Sequence, residues 1–102
     1  MKIIEGKKVR FLGEDCTVEI GTYQVGGGPA IQLYCEDGSP MATATINVPS
    51  LELPENYVVV KDQDENEGMM EALVEAGIVR PTGLRVVVGY YSAPVAELLV
   101  AG

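Results

Sequence analysis

The sequence predicts an α+β fold that is mostly β: a curved antiparallel sheet of about six strands, with one helix over about residues 65–77 packed on it. Three observations lead there. Short segments alternate apolar and polar residues with period two, and Gly, Pro, Asn and Asp bound them. One segment alone, residues 62–78, repeats its apolar residues every three or four. And 47% hydrophobic content over 102 residues suits a single domain, 1–102, around one core.

Residues 7–13 read as a first strand, with Val9 and Phe11 on one face and basic residues on the other. Residues 16–25 read as a second strand. Cys16, Val18 and Ile20 alternate with Thr17 and Glu19, then the apolar parity shifts to Tyr23 and Val25, which predicts a bulge at Gly21. Gly26-Gly27-Gly28-Pro29 reads as a flexible hairpin tip. A phosphate cradle needs a helix after the glycines, and residues 30–35 look like a strand instead. Residues 36–40 form a turn and 41–48 a further strand, so three strands make an antiparallel meander.

Residues 49–56 carry two prolines and read as a connection. Tyr57-Val58-Val59-Val60 is continuous and β-branched, the pattern of a strand covered on both faces. The helix follows. Met69, Leu73 and Ala76 set its apolar stripe, and Glu67, Glu71 and Glu75 recur every four residues opposite it. Asp64 with Glu67 predicts a capping box, with Asn66 the rival N-cap. Gly68 costs up to ~1 kcal/mol against Ala inside a helix, which argues for a later start. Gly77 supplies a left-handed stop, and Ile78 folds back on the last turn. Residues 79–83 read as a turn, 84–91 as a strand and 93–100 as a strand in preference to a helical turn.

The net charge is −8, from 15 acidic and 7 basic residues. That excludes direct nucleic-acid binding, whose affinity comes from Lys and Arg on phosphates, and an anionic membrane surface. It suits a basic protein partner. Lys2 and Glu5 put charge within the first five residues and no apolar leader core follows, so the expected location is the cytoplasm. Cys16 and Cys35 are then expected as free thiols.

Catalytic chemistry is hard to place on these residues. There is no histidine, which removes the Ser-His and Cys-His nucleophile pairs and the commonest metal ligand. Two cysteines nineteen apart do not make a zinc pattern. Asp62, Asp64 and Glu65 resemble the start of a calcium loop, but its sixth position holds Glu67 in place of Gly, and its twelfth holds Leu73 in place of Glu. A carboxylate-pair hydrolase needs two acids across a cleft. No cofactor, metal or catalytic residue is expected, and the chain reads as a non-enzyme.

The clearest signal is charge. Glu52, Glu55, Asp62, Asp64, Glu65, Glu67, Glu71 and Glu75 are eight of the fifteen acids, and Lys61 is the one lysine among them. Like charges at i,i+4 repel by a few tenths of a kcal/mol, roughly. A solvated helix face explains them without function; an anionic surface for a basic partner explains them with one.

Residues 57–62, the run Glu65-Asn66-Glu67-Gly68-Met69-Met70-Glu71-Ala72-Leu73-Val74-Glu75-Ala76-Gly77-Ile78, Pro81-Thr82-Gly83 and Val88-Gly89-Tyr90 carry a resemblance. Together with Phe11-Leu12-Gly13, Tyr23 and residues 42–47, they resemble small acidic proteins of phages, plasmids and conjugative elements of gut Firmicutes. Most of those have no assigned activity. The chain is also similar to small metagenomic anti-CRISPR proteins that inhibit type II-A effector nucleases. The resemblance implies an inhibitor that occupies the positively charged channel of a CRISPR effector nuclease or its guide complex. The alternative is an accessory protein of a mobile element that binds another protein. It supplies no catalytic motif.

Overall fold

The computed structural model describes residues 2–3, 7–25, 28–48 and 51–100, the first two by backbone alone. Strands β1 (Lys2–Ile3), β2 (Val9–Phe11), β3 (Glu14–Thr22), β4 (Pro29–Tyr34) and β5 (Pro40–Thr43) form one sheet in the order β1-β3-β4-β5, with β2 also paired to β3. Strands β6 (Thr45–Ile46), β7 (Tyr57–Val60), β8 (Val79–Val88) and β9 (Tyr91–Leu98) form a second, in the order β6-β7-β9-β8. Every pairing is antiparallel. The mostly-β α+β class is as expected. The single sheet of about six strands is not: the described residues hold nine strands in two sheets.

The two sheets come from one bend. Alternation runs on from residue 41 to 46, so the sequence reads as one strand, but the structure breaks it at buried Ala44. The Ala44 amide donates to the Ile31 carbonyl in the first sheet (2.9 Å), and its carbonyl accepts from Lys61, just past β7 in the second (2.8 Å). Thr45 holds the bend from inside. Its hydroxyl accepts from the Ile31 amide (3.2 Å) and shares a hydrogen bond with the Tyr23 hydroxyl (2.7 Å). A buried threonine is tolerated because both of these partners are present.

The main core lies between the sheets and the helix α1 (Met69–Glu75). Val9, Phe11, Cys16, Val18, Ile31 and Leu33 fill it from the first sheet, Val58 and Val60 from the second. Val59 points the other way, into a smaller cluster with Ala93 and Val95. The expectation that residues 57–60 are covered on both faces therefore holds. The outer cover includes Val48, with Leu51 and Leu53 of the proline-bearing connection.

The helix is shorter than its periodicity implied. A 3-10 turn (Asp64–Asn66) precedes it, and Glu67 and Gly68 separate the two. Among the described residues no side chain caps either element, so the Asp64–Glu67 capping box is not formed and Asn66 is not an N-cap. The cause is Asn66. Its side chain is buried and its amide donates to the Thr43 carbonyl at the bend (2.7 Å), which ties the turn to β5. The chain must then reverse before α1 can start. Gly68 does this at φ +93°, a conformation that side chains with a Cβ rarely adopt. Asp62 Oδ1 accepts from the Gly68 amide (2.7 Å).

The C-terminal stop is as expected. Gly77 has φ +74°, its amide donates to the Val74 carbonyl (3.0 Å), and the Ile78 amide to that of Leu73 (3.0 Å). Lys7 Nζ adds a bond to the Ala76 carbonyl (3.3 Å), a cation at the negative end of the helix.

Two further expectations are corrected and a third holds. Gly21 pairs with Ala30 in regular register; the irregularity falls between Leu33 and Tyr34. Residues 79–83 are not a free turn but the start of β8, with the register shift between Pro81 and Arg85 and Gly83 at φ +82°. Residues 93–98 are strand, as preferred. Gly26 and Gly27 of the expected hairpin tip, Pro49 and Ser50 of the connection, and residues 1 and 4–6 of the N-terminal stretch lie outside the described residues. Register from Thr17 and Tyr34 brings Cys16 and Cys35 to the same end of the first sheet; both thiols are free. Burial, with the neighbouring Cys35, pushes the Cys16 thiol up.

Candidate partner-binding surface

The acids that the sequence groups together fall into three environments. Asp64, Glu65, Glu67, Glu71 and Glu75 are exposed along the 3-10 turn, the link and α1. Glu71 and Glu75 share a helix face. Glu67 does not belong to it, because it lies outside α1. The opposite face is apolar: Met69, Ala72 and Leu73 are buried in the main core. Burial of that stripe fixes which way the acids point.

Asp62 is different. It is half-buried and serves the fold: its carboxylate takes the Gly68 amide, and its backbone is pinned by Tyr91 of β9. The Tyr91 hydroxyl accepts from the Asp62 amide (3.2 Å) and donates to its carbonyl (2.8 Å). This double contact fixes the start of the acidic segment against the second sheet.

Glu52 and Glu55 are set apart. They precede β7, whereas Asp62 follows it, so roughly 10 Å of strand separates the two groups. Glu55 lines a groove of about 430 Å³ with Val48, Leu51, Leu53, Tyr57 and Val59. That groove lies on the face of the second sheet turned away from the helix, because Val59 points out of the main core. Glu55 is the one carboxylate among the described residues of its lining, so no acid pair spans it.

Few cations answer the exposed acids. Lys61 Nζ meets Glu65 Oε1 at 3.0 Å. A backbone hydrogen bond, with Lys61, holds the Glu65 carboxyl below its usual range. Lys7 spends its ammonium on the helix C-terminus. The other ion pairs among the described residues, Arg10–Asp15 and Arg80–Glu97, lie on other elements. Asp64, Glu67, Glu71 and Glu75 thus have no ion-pair partner among the described residues. Such an arrangement attracts a basic surface at long range.

No group of three or more Cys, Asp or Glu is arranged to hold a metal ion among the described residues, and none of their helices is long and apolar enough to cross a membrane. Sequence reasoning did not single out Asn66 and Tyr91, which position the segment. Asn66 looked like a cap and Tyr91 like a strand residue, because their partners are distant in the chain.

Comparisons with protein-family models, with curated proteins and with solved structures found no match to this chain.

Proposed function

We propose that this protein is a non-catalytic binding module whose acidic segment, residues 64–75, docks on a basic protein surface. One observation carries the reading: four exposed carboxylates of this segment, Asp64, Glu67, Glu71 and Glu75, are left without an ion-pair partner among the described residues. Carboxylates at i and i+4 cost helix stability, so Glu71 and Glu75 are better explained by what they meet than by what they hold together. The sequence resemblance gives the partner class: a type II-A CRISPR effector nuclease, whose channel for nucleic acid is positively charged. The exposed carboxylates stand in for phosphates there, and inhibition is by occupancy. Glu52 and Glu55 contribute only through a partner that wraps to the groove side.

The test is a DNA-cleavage assay with a purified type II-A nuclease and a Glu67→Gln/Glu71→Gln/Glu75→Gln variant. The wild-type protein inhibits cleavage. The variant stays folded, gains a few tenths of a kcal/mol, roughly, from relieved repulsion, and loses inhibition. Full potency in the variant removes the mimicry mechanism. No inhibition by the wild type favours the accessory-protein reading, for which a pull-down from host lysate identifies the partner.

A further inference from the structure

The β8–β9 hairpin differs from the rest of the surface. Its one acid, Glu97, is ion-paired with Arg80, which leaves Arg85 over, in a chain of net charge −8. Among the described residues β8 is the outermost strand of its sheet, paired to β9 alone. Its exposed apolar residues are large: Val87 is 77% exposed and Leu84 53%, and Tyr90 at the hairpin tip is fully exposed.

The backbone of this edge is unpaired in a definite pattern. Gly89 and Tyr90 form a two-residue turn between Val88 and Tyr91, so Val88–Tyr91 is the closing hydrogen-bonded pair. Alternation along an antiparallel ladder then turns the amides and carbonyls of Val87 and Arg85 away from β9. Towards the start of β8 the edge is blunted by Pro81 and by the register shift at Gly83. What stays open is the stretch from Leu84 to Val88, a template for another strand.

We propose that a second copy of this chain pairs with it, β8 against β8, antiparallel about a two-fold axis at Val87. The chain is complementary to itself in that register. Val87 meets Val87 of the second copy as a hydrogen-bonded pair, and Arg85 lies opposite Gly89 of the second copy. Val86 lies opposite Val88 of the second copy, and Leu84 lies towards Tyr90 in the turn of the second copy. One operation covers all three exposed apolar residues and keeps Arg85 from facing its own copy. A shift that centres the axis on Arg85 sets like charges opposite each other and leaves Tyr90 uncovered. Charge selects the same face. Two molecules of charge −8 repel, and this hairpin, whose one acid is paired with Arg80, is where they approach with the least repulsion. The contact is isologous, so it closes at the dimer.

Sedimentation of the full chain over a range of concentrations, with amide hydrogen exchange at each, tests this. The protein forms a dimer, and exchange at Arg85 and Val87 slows as concentration rises. Val87→Lys, at a position already exposed in the monomer, keeps the circular dichroism of the wild type. It weakens association by about tenfold or more, a change of ~1.4 kcal/mol. A wild type that stays monomeric at all concentrations overturns the proposal. So does a dimer whose protection falls elsewhere, or one that Val87→Lys leaves intact. The acidic surface plays no part in the contact, so its charge-neutralised variant dimerises at least as well as the wild type.

Discussion

Two neighbouring stretches of this chain, residues 62–75 and 79–96, solve the problem of a surface in opposite ways. The first turns every acid but the half-buried Asp62 outward and every core residue inward, so Leu73 and Met69 are fully buried while Glu71 and Glu75 are exposed. The second is apolar on both faces at its outer end. Val86 and Val88 pack on the smaller cluster, whereas Val87 projects into solvent. On the far side of β9 from β8, β7 is apolar on both faces too, but there both faces are covered. The difference is edge position: β7 has a neighbour on each side and β8 on one. An apolar residue therefore stabilises the fold or remains available to a partner according to where its strand sits in the sheet.

That contrast is broken most directly by truncating one apolar residue from each stretch. Leu73→Ala removes a fully buried side chain from the main core and costs about 2–5 kcal/mol. Val87→Ala removes one that is mostly in solvent and stays within about 0.5 kcal/mol of the wild type. Urea denaturation at concentrations low enough to keep the chain monomeric measures both. Equal losses would mean that the edge strand is covered within the monomer.

A smaller effect sharpens the role of the acidic stretch. Asn66→Ala leaves the buried end of the 3-10 turn without its bond to the Thr43 carbonyl, at a cost of about 1–3 kcal/mol. The accompanying change is local: amide exchange accelerates over residues 62–68 before the sheets open. Unchanged exchange there would show that the turn is held by Asp62 and Tyr91 alone.

The smallest effect is the pH dependence that a paired carboxylate gives to stability. Glu97, between Arg80 and Asn56, is held below its usual range, chiefly by its hydrogen bonds to those two side chains. Its folded pKa is lower than its unfolded one, so the folded state binds that proton less readily. The stabilisation is present above the unfolded carboxyl value and is lost as pH falls through the folded value. Glu65 and Asp37 act in the same direction, the latter through Ser39. Glu97→Gln flattens the acid limb of stability against pH.

Much of the fold was legible in single residues. Gly77 and Ile78 announced the helix stop, and the alternation around Val18 and Ile20 announced β3. The run at residues 57–60 announced a strand with two covered faces. The misreadings share one cause. Gly68 looked like a flaw inside a helix, Ala44 like the middle of a strand and Pro81-Thr82-Gly83 like a free turn. Each is a place where the chain answers to a group far away in sequence: Asn66 to Thr43, Ala44 to Ile31 and Lys61, and residues 79–81 to residues 96–98. The acidic surface was legible as a count of carboxylates but not as a layout. Glu52 and Glu55 are near the others in sequence, yet a strand and a sheet face separate them in space.

By itself, then, the sequence determined the local matters: composition, the apolar periods, the helix stop, the surplus of negative charge and the absence of histidine. These depend on a residue and its few chain neighbours. Only the tertiary structure decided where the long strand bends into a second sheet, which acids share a side and which strand is left at an edge. Those outcomes are set by hydrogen bonds and burial between segments distant along the chain, and no periodicity records which distant segment will meet which.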